Sequence, residues 1–410
     1  MSDQSEVPRA KFDKRYLIIF LIIFTEVLGF SIVAPVIPFL ALSLGLNVLQ
    51  IGLILSIFSF CQFFASPLTG KLSDRYGRKP LLIVSQISTL IGFILLGIAN
   101  EVWILILARL VDGLLGSNMT VSQAYISDVT EPENRSKIYG YSSAVFGAAL
   151  IFGPLIGGTL SIINYSTPMF FAAGVCLVSI LLVVIFLPES LIVKEEKVKF
   201  TFNDIFPIDD AKRFFKDSKI RKLLIIFLIY SLGFMLFIST FALFAEIQIN
   251  ITAQEVGFFM AWIGVLRVIF QTSLISPLQK KFGENKILLI GIISMITAFT
   301  ILIFTSTFLF TFIPLMFLAL GTGICRPVIT SKLANSVERE ETGSLLGVNN
   351  ALMSIAMIIT PILGGVILYY LNSPILPLVS ASCFVIVFII WSFNNSEKAS
   401  LQESTNDSNS

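Results

Sequence analysis

The sequence contains no histidine and few charged residues of any kind. Asp, Glu, Lys and Arg together make up 13% of its 410 residues, against roughly 25% in an ordinary soluble domain. Without histidine, a Ser-His pair, a histidine-ligated zinc ion and an imidazole proton relay are excluded. Any proton transfer must therefore use carboxylates, and the low charge content excludes an ordinary soluble fold.

Cysteine is also scarce, and the four cysteines show no paired spacing. Cys61, Cys176, Cys325 and Cys383 lie in apolar stretches, where cysteine is typical of packing, so we expect no metal site and no disulfide. The sequence has no phosphate-binding loop and no nucleophile–base arrangement. We therefore expect neither an ATP-driven pump nor an enzyme, and no cofactor.

Long apolar stretches make up most of the chain. Hydrophobic residues account for 55% of it, in runs of the length (about 20 residues) that a helix needs to cross about 30 Å of hydrocarbon. The sequence predicts an all-α membrane protein with twelve transmembrane helices, at residues 17–42, 49–70, 81–99, 102–124, 138–161, 168–187, 221–245, 255–278, 287–305, 308–330, 343–369 and 374–393.

The basic residues lie on one side of the predicted membrane. All but three of the 28 Lys and Arg residues lie in the two tails or in the loops after spans 2, 4, 6, 8 and 10. Because Lys and Arg in short loops remain cytoplasmic, both termini are predicted to be cytoplasmic. The three exceptions are Arg109, Arg267 and Arg326, which lie within spans.

The two halves of the chain resemble each other. The sequence GPLIGG at 153–158 returns as TPILGG at 360–365, and Tyr76-Gly77 has a counterpart in Phe282-Gly283. The repetition indicates an internal duplication, which assigns six of the twelve predicted spans to each half.

This division gives five segments. They are a cytoplasmic tail at 1–16, a first half at 17–187, a cytoplasmic linker at 188–220, a second half at 221–393 and a disordered cytoplasmic tail at 394–410. Within the linker, residues 209–216 either form a short interfacial helix or stay solvated.

A short charged turn at residues 70–80 joins the second and third spans and reads GKLSDRYGRKP. It resembles the pattern G-x-L-x-D-R-x-G-R-K of the major facilitator superfamily at every fixed position. The resemblance implies a secondary transporter with a central site between the halves, and an inner gate that pairs charges only while the cytoplasmic side is shut, between spans 2, 4 and 11. The gate residues would be Gly70, Asp74, Arg75, Gly77, Arg78 and Asp128. A turn that only sets topology explains Arg75 and Lys79, but it does not explain Asp74.

Charged residues inside spans are costly and normally face a cavity or a partner. The depths of Glu26 in span 1 and of Arg109 and Asp112 in span 4 permit a cluster, which is either functional or a structural ion pair. The sequence 109–113, RLVDG, resembles the superfamily's span-4 pattern R-x-x-q-G, whose arginine is linked to proton coupling in drug antiporters. The resemblance implies proton coupling through these three residues, with Asp112 either carrying a proton or neutralising Arg109.

Span 5 is similar to the antiporter motif G-x-x-x-G-P-x-x-G-G, with Ala149 at the first glycine and the motif residues Gly153, Pro154, Gly157 and Gly158. On physical grounds alone this is a helix-packing seam, whereas in the family it accompanies export by exchange. Residues 109–140 resemble the tetracycline exporters, which also carry carboxylates in spans 3 and 9. The corresponding residues here are Gly92 and Met295, so tetracycline–metal exchange is not the activity that we expect.

Arg267 in span 8 and Arg326 in span 10 are candidate residues of the substrate cavity. Either could bind an anionic substrate or face a carboxylate such as Glu26. We expect a proton-coupled antiporter that exports hydrophobic, drug-like solutes by alternating access, as a monomer in the cytoplasmic membrane of a prokaryote, with protons as coupling ion and no nucleic-acid partner. The alternatives are a symporter or facilitator for a small, possibly anionic metabolite, and a membrane sensor on a transporter scaffold.

Overall fold

The structure is a computed structural model that describes residues 14–191, 207–338 and 340–407. Within these residues, twelve segments are long and apolar enough to cross a membrane, as predicted. We number these segments as spans 1 to 12. The helices of the first half are Lys14–Ser43, Val48–Tyr76, Arg78–Gly97, Val102–Leu115, Asn118–Val129, Pro132–Leu160 and Thr167–Phe186. Those that follow are Ile208–Lys216, Ser218–Ile249, Ala253–Ile269, Ser276–Ile303, Phe308–Ala334, Thr342–Tyr370 and Ile375–Asp407, with a π-helical segment at Phe270–Ile275.

Two spans depart from the single helices that were predicted. Span 4 is divided into Val102–Leu115 and Asn118–Val129, because Gly116 and Ser117 lie outside helical geometry. Span 8 ends in the π-helical segment Phe270–Ile275. Both irregularities lie next to charged residues of the membrane interior.

Equivalent spans in the two halves begin at the same kind of helix cap and are followed by the same kind of glycine turn. Span 2 begins at a capping box formed by Asn47 and Gln50, and span 8 begins at one formed by Thr252 and Glu255. Such reciprocal bonds satisfy free amide groups at a helix start. After these spans the chain turns at Gly77 and at Gly283, which have φ values of 111° and 77°, a region that favours glycine.

The packing of the spans repeats in the two halves. In the first half, span 1 packs on spans 5 and 6, and span 4 packs on spans 2 and 3. In the second half, span 7 packs on spans 11 and 12, and span 10 packs on spans 8 and 9. The halves meet mainly where span 2 packs on span 11 and span 5 packs on span 8. These two seams therefore form the interface across which a central site would open.

The two ends of the bundle differ in charge. We call the end that carries the 70–80 turn and the helix Ile208–Lys216 the basic end, and the opposite end the far end. The predicted linker helix is present as Ile208–Lys216, and its Arg213 forms an ion pair with Glu341 at the start of span 11. The last helix continues to Asp407, into the tail predicted to be disordered, since Glu, Lys, Ala, Leu and Gln there favour helix.

Candidate functional site

Small residues bring spans 5 and 8 into backbone contact at the far end. A Cβ atom added to Gly158 would lie 3.0 Å from the carbonyl oxygen of Ala253, and one added to Gly257 would meet the carbonyl of Pro154. Gly153 and Gly157 instead face span 1 at Ser31 and Ile32. The predicted motif is therefore a packing seam both within its half and across the halves.

The repeated motif in span 11 makes the equivalent contacts. A Cβ atom on Gly365 would lie 2.9 Å from the carbonyl oxygen of Val48, and one on Gly52 would meet the carbonyl of Pro361. The hydroxyl of Ser56 donates a hydrogen bond to the carbonyl of Ile358 at 2.7 Å. Both seams are thus closed at the far end, with no room for a side chain between the helices.

Towards the basic end, spans 2 and 11 diverge around a cavity of about 310 Å³. No atom of a neighbouring helix lies within 4 Å of a Cβ atom placed on Gly347 or Gly343. The cavity lining combines polar and apolar side chains, namely Ser59, Gln62, Phe63, Ser66, Pro67, Pro207, Asn350, Ala351, Ser354 and Met357. The seam between spans 2 and 11 is therefore closed at the far end and open at the basic end.

Arg78 is the centre of the charge cluster at the basic end. Its Nη1 lies 2.6 Å from Oδ1 of Asp74, and its Nε lies 2.9 Å from Oδ2 of Asp128. Nη1 also donates to the hydroxyl of Ser73 at 2.5 Å, and Arg78 is buried. The structure brings these predicted gate residues together, while Arg75 is exposed and stacks over Tyr76.

Glu189, which follows span 6, completes this cluster and was not predicted. Its carboxylate accepts hydrogen bonds from the backbone amides of Arg78 and Lys79, at 2.9 and 3.2 Å. A Cβ atom on Gly77 would meet this carboxylate, so glycine is required there for space as well as for φ. A single acidic residue directly after an apolar span was the available signal.

The charge cluster lies within the first half of the molecule. Its ion pairs join spans 2, 3 and 4, and they are intact although the cavity between spans 2 and 11 is open at the same end. That these pairs break when the basic end opens stays a prediction. Arg78 fixes spans 2, 3 and 4 relative to one another.

Glu26, Arg109 and Asp112 lie together in the membrane interior, as their depths predicted. They line a small cavity of about 30 Å³ with Phe30, Val33, Phe58, Thr89, Phe93 and Gly116, which has room for about one water molecule. Nη2 of Arg109 lies 3.8 Å from Oδ2 of Asp112, and the guanidinium lies over the ring of Phe58. Oε2 of Glu26 is buried without a hydrogen-bond partner.

The interruption of span 4 lies beside this cluster. The amide of Gly116 donates to the carbonyl of Asp112 at 2.7 Å, and its own carbonyl accepts from Gln62 at 3.2 Å. The side chain of Asn118 and the backbone amide of Met119, at the start of the second helix, approach the carboxylate of Glu26. Amide groups at a helix start favour a negative charge, so the interruption provides donors for Glu26.

Gly92 in span 3 makes room for Asp112. A Cβ atom at position 92 would lie 2.9 Å from Cβ and 3.4 Å from Cγ of Asp112. The predictions missed both this contact and Asn118. The sequence Gly116-Ser117-Asn118 in the middle of an apolar span was a signal for an interrupted helix, whereas the pairing of Gly92 with Asp112 has no local signal.

Arg267 and Arg326 lie near each other and away from Glu26. Both interact electrostatically with Tyr230 of span 7, and the side chain of Arg267 packs beside Gly323, three residues before Arg326. The carboxylate of Glu26 interacts instead with Asp112. The alternative in which one of these arginines faces Glu26 therefore finds no support among these interactions.

Comparison with known proteins identifies the family. The sequence pattern of the Major Facilitator Superfamily matches residues 19–274 and 223–409. The tetracycline resistance protein of class B from Escherichia coli is 30% identical over 83% of this chain and 85% of its own length. Multidrug resistance protein 2 of Bacillus subtilis (strain 168) is 28% identical over 87% and 89% of the two chains.

Solved structures share the same fold. The nucleoside transporter NupG superimposes with a TM-score of 0.77 and 12% identity, over 92% of this chain and 98% of its own. The family match covers most of the chain, and the twelve spans, the repeated halves and the charged turn agree with it. This chain is a multi-pass membrane protein and belongs to the Major Facilitator Superfamily.

Proposed function

We propose that this transporter exports hydrophobic, drug-like solutes in exchange for protons, by alternating access between the two ends of the bundle. The names of its bacterial relatives, which are tetracycline and multidrug resistance proteins, support export of such solutes. The predicted cytoplasmic location of the basic end, where the cavity opens, agrees with uptake of the solute from the cell interior.

The observation that carries the proposal is the carboxylate of Glu26. It lies in the membrane interior beside Asp112, and one of its oxygens has no partner. Two neighbouring carboxylates with a single arginine can hold a proton, because like charges at short distance disfavour joint ionisation. Exchange then follows if the solute and the proton bind alternately.

Transport in proteoliposomes with an imposed pH gradient tests the proposal. The wild-type protein should accumulate a hydrophobic dye against its gradient only when the pH gradient is present. Glu26→Gln imitates the protonated carboxylate, so gradient-driven accumulation should fall to background while exchange of labelled for unlabelled dye persists.

Glu101→Gln is the matched control, because Glu101 is an exposed carboxylate at the far end. It should transport like the wild type. Accumulation by the wild type that ignores the gradient, or full gradient-driven transport by Glu26→Gln, would refute proton exchange through this residue.

A second candidate is a symporter or facilitator for a small anionic metabolite, and the neighbouring Arg267 and Arg326 favour it. The same vesicles separate the candidates by direction. Symport moves solute with the proton gradient, exchange moves it against the gradient, and a facilitator only equilibrates the solute. Opposite gradients applied to one preparation therefore decide between the three.

A further inference from the structure

The two arginines of the second half have no counter-charge in the described part of the chain. Neither Arg267 nor Arg326 forms an ion pair or a hydrogen bond with any described residue, and the charged group with which Arg267 interacts is Arg326 itself. Charged side chains within a membrane normally pair with one another or face a water-filled cavity. The two arginines are therefore neighbouring cations without an anionic partner among the described residues, with Arg267 half-buried and Arg326 exposed.

The side chain of Arg267 packs against span 10 at Gly323. A Cβ atom on Gly323 would lie 3.9 Å from Cγ of Arg267 and 3.7 Å from Cγ of Gln271, within ordinary van der Waals contact, so the stem of the arginine lies beside position 323. Arg326 follows three residues later, on the same face of span 10. The π-helical segment begins at Phe270, three residues after Arg267, and such segments occur often at functional sites.

Tyr230 adds a hydrogen-bond donor. Its ring is fixed by stacking on Phe234, with centroids 6.1 Å apart, and by an edge contact with Phe384 at 5.8 Å. Its hydroxyl is buried without a partner, and the residue interacts electrostatically with both arginines. Two guanidinium groups and one phenolic O–H therefore offer hydrogen-bond donors to an anion.

We propose that Arg267, Arg326 and Tyr230 bind the anionic group of an organic acid, a carboxylate or sulfonate attached to an apolar body. Planar guanidinium groups match the geometry of such oxygens, and the phenol completes the set. The apolar body would contact the aromatic side chains around Tyr230. This inference rests on the proposed export function and narrows its substrates to amphipathic acids.

Binding to the purified protein in detergent tests the site without any gradient. The probes are 2-naphthoate, its neutral methyl ester and inorganic sulfate. The melting temperature is measured at increasing concentrations of each probe, since a ligand that binds the folded state raises it. Naphthoate should stabilise the wild type, with the ester and sulfate at least about tenfold weaker, as expected for hydrogen bonds to a charged group.

Arg267→Gln and Arg326→Gln should each weaken naphthoate binding about tenfold or more and leave ester binding unchanged. Lys332→Gln is the matched control, because Lys332 lies on the same span but pairs with Glu284 at 3.4 Å; it should bind naphthoate like the wild type. Without ligand, the two arginine variants should melt no lower than the wild type, because each removes one of two like charges.

Several results would overturn the site. These are equal binding of acid and ester, sulfate binding as tight as naphthoate, unchanged naphthoate binding in both arginine variants, or no naphthoate binding to the wild type. A clear fall of the unliganded melting temperature in the arginine variants would identify structural residues instead. Loss of proton-driven transport would leave these binding results standing, so the failures of the two proposals are distinguishable.

Discussion

Asp112 and Glu26 are neighbouring carboxylates with different partners. Asp112 lies 3.8 Å from the guanidinium of Arg109, whereas Glu26 has a buried oxygen without a hydrogen bond. Removing one partner of a buried ion pair costs about 3–5 kcal/mol, because the other charge stays buried. The two carboxylates should therefore differ in how their loss affects folding.

We expect Asp112→Asn to lower the melting temperature of the purified protein clearly, and Glu26→Gln to leave it unchanged or higher. The double variant Arg109→Gln/Asp112→Asn should recover much of the lost stability, since it removes both charges. Thermal unfolding in one detergent compares all three. If Glu26→Gln is the more destabilised single variant, the assignment of Arg109 to Asp112 is wrong.

Gly92 tests the position of Asp112 from the opposite helix. A methyl group at 92 would lie 2.9 Å from Cβ of Asp112, and such overpacking costs about 1–3 kcal/mol. Gly92→Ala should lower the melting temperature and reduce gradient-driven transport.

The matched control is Gly174→Ala in span 6, where nothing lies within 4 Å of the added atom; it should behave like the wild type. In an Asp112→Gly background, adding Gly92→Ala should cause no further fall in the melting temperature, because the Cβ atom that it would contact is absent. Equal effects of Gly92→Ala and Gly174→Ala would contradict the contact.

At the scale of elements, the turn between spans 2 and 3 depends on Arg78. The Asp74 side chain is 37% exposed and that of Arg78 is 9% exposed, and exposed pairs contribute only about 0–1 kcal/mol. We expect Asp74→Asn to insert and melt like the wild type but to transport poorly, because span 2 then lacks the negative charge that orients Arg78.

Arg78→Gln should transport poorly and, unlike Asp74→Asn, should also lower the melting temperature, since Asp128 then loses its ion pair. Arg75→Gln, at an exposed position, serves as the control for loss of a basic residue from the same turn. Expression level, melting temperature and flux are measured together. Wild-type flux in a normally expressed Asp74→Asn protein would reduce this turn to a topology signal.

The sequence predicts the elements of this molecule better than their irregularities. Hydropathy locates twelve spans because a bilayer demands a fixed length of apolar helix, and repetition locates Gly77 and Gly283 in equivalent turns. The division of span 4 at Gly116 was missed, because its free backbone groups bond to Gln62 and Ser85 on other spans. Such compensation arises only in the packed structure.

The residues of the candidate sites were also predicted only in part from the sequence. Buried charges are conspicuous in an apolar sequence, so the depths of Glu26, Arg109 and Asp112 permitted a cluster, and the resemblance of residues 109–113 to the superfamily pattern singled it out. Tyr230 was not found, because a tyrosine in an apolar span carries no signal until Arg267 and Arg326 lie beside it. Pairings between distant spans are properties of the packing, and no local pattern encodes them.

For the whole molecule, alternating access requires the far-end seams to open when the basic end closes. A side chain at Gly257 would collide with Pro154 and Gly158 across the seam between spans 5 and 8, where an added Cβ atom lies 3.0 Å from Cα of Gly158. Gly257→Leu should therefore favour the state that is open at the far end. Overpacking of about 1–3 kcal/mol shifts the balance of the two states by about fivefold to 150-fold.

Labelling of a cysteine in the basic-end cavity reports this shift. Asn350→Cys lines that cavity, and the four native cysteines can be replaced by alanine. In inside-out vesicles, a membrane-impermeant maleimide should label Asn350→Cys readily and about tenfold more slowly once Gly257→Leu is added. Gly174→Leu, with open space around position 174, should leave the rate unchanged. Equal labelling with and without Gly257→Leu would mean that the seam between spans 5 and 8 does not govern access to the cavity, because closing one end would then be independent of opening the other.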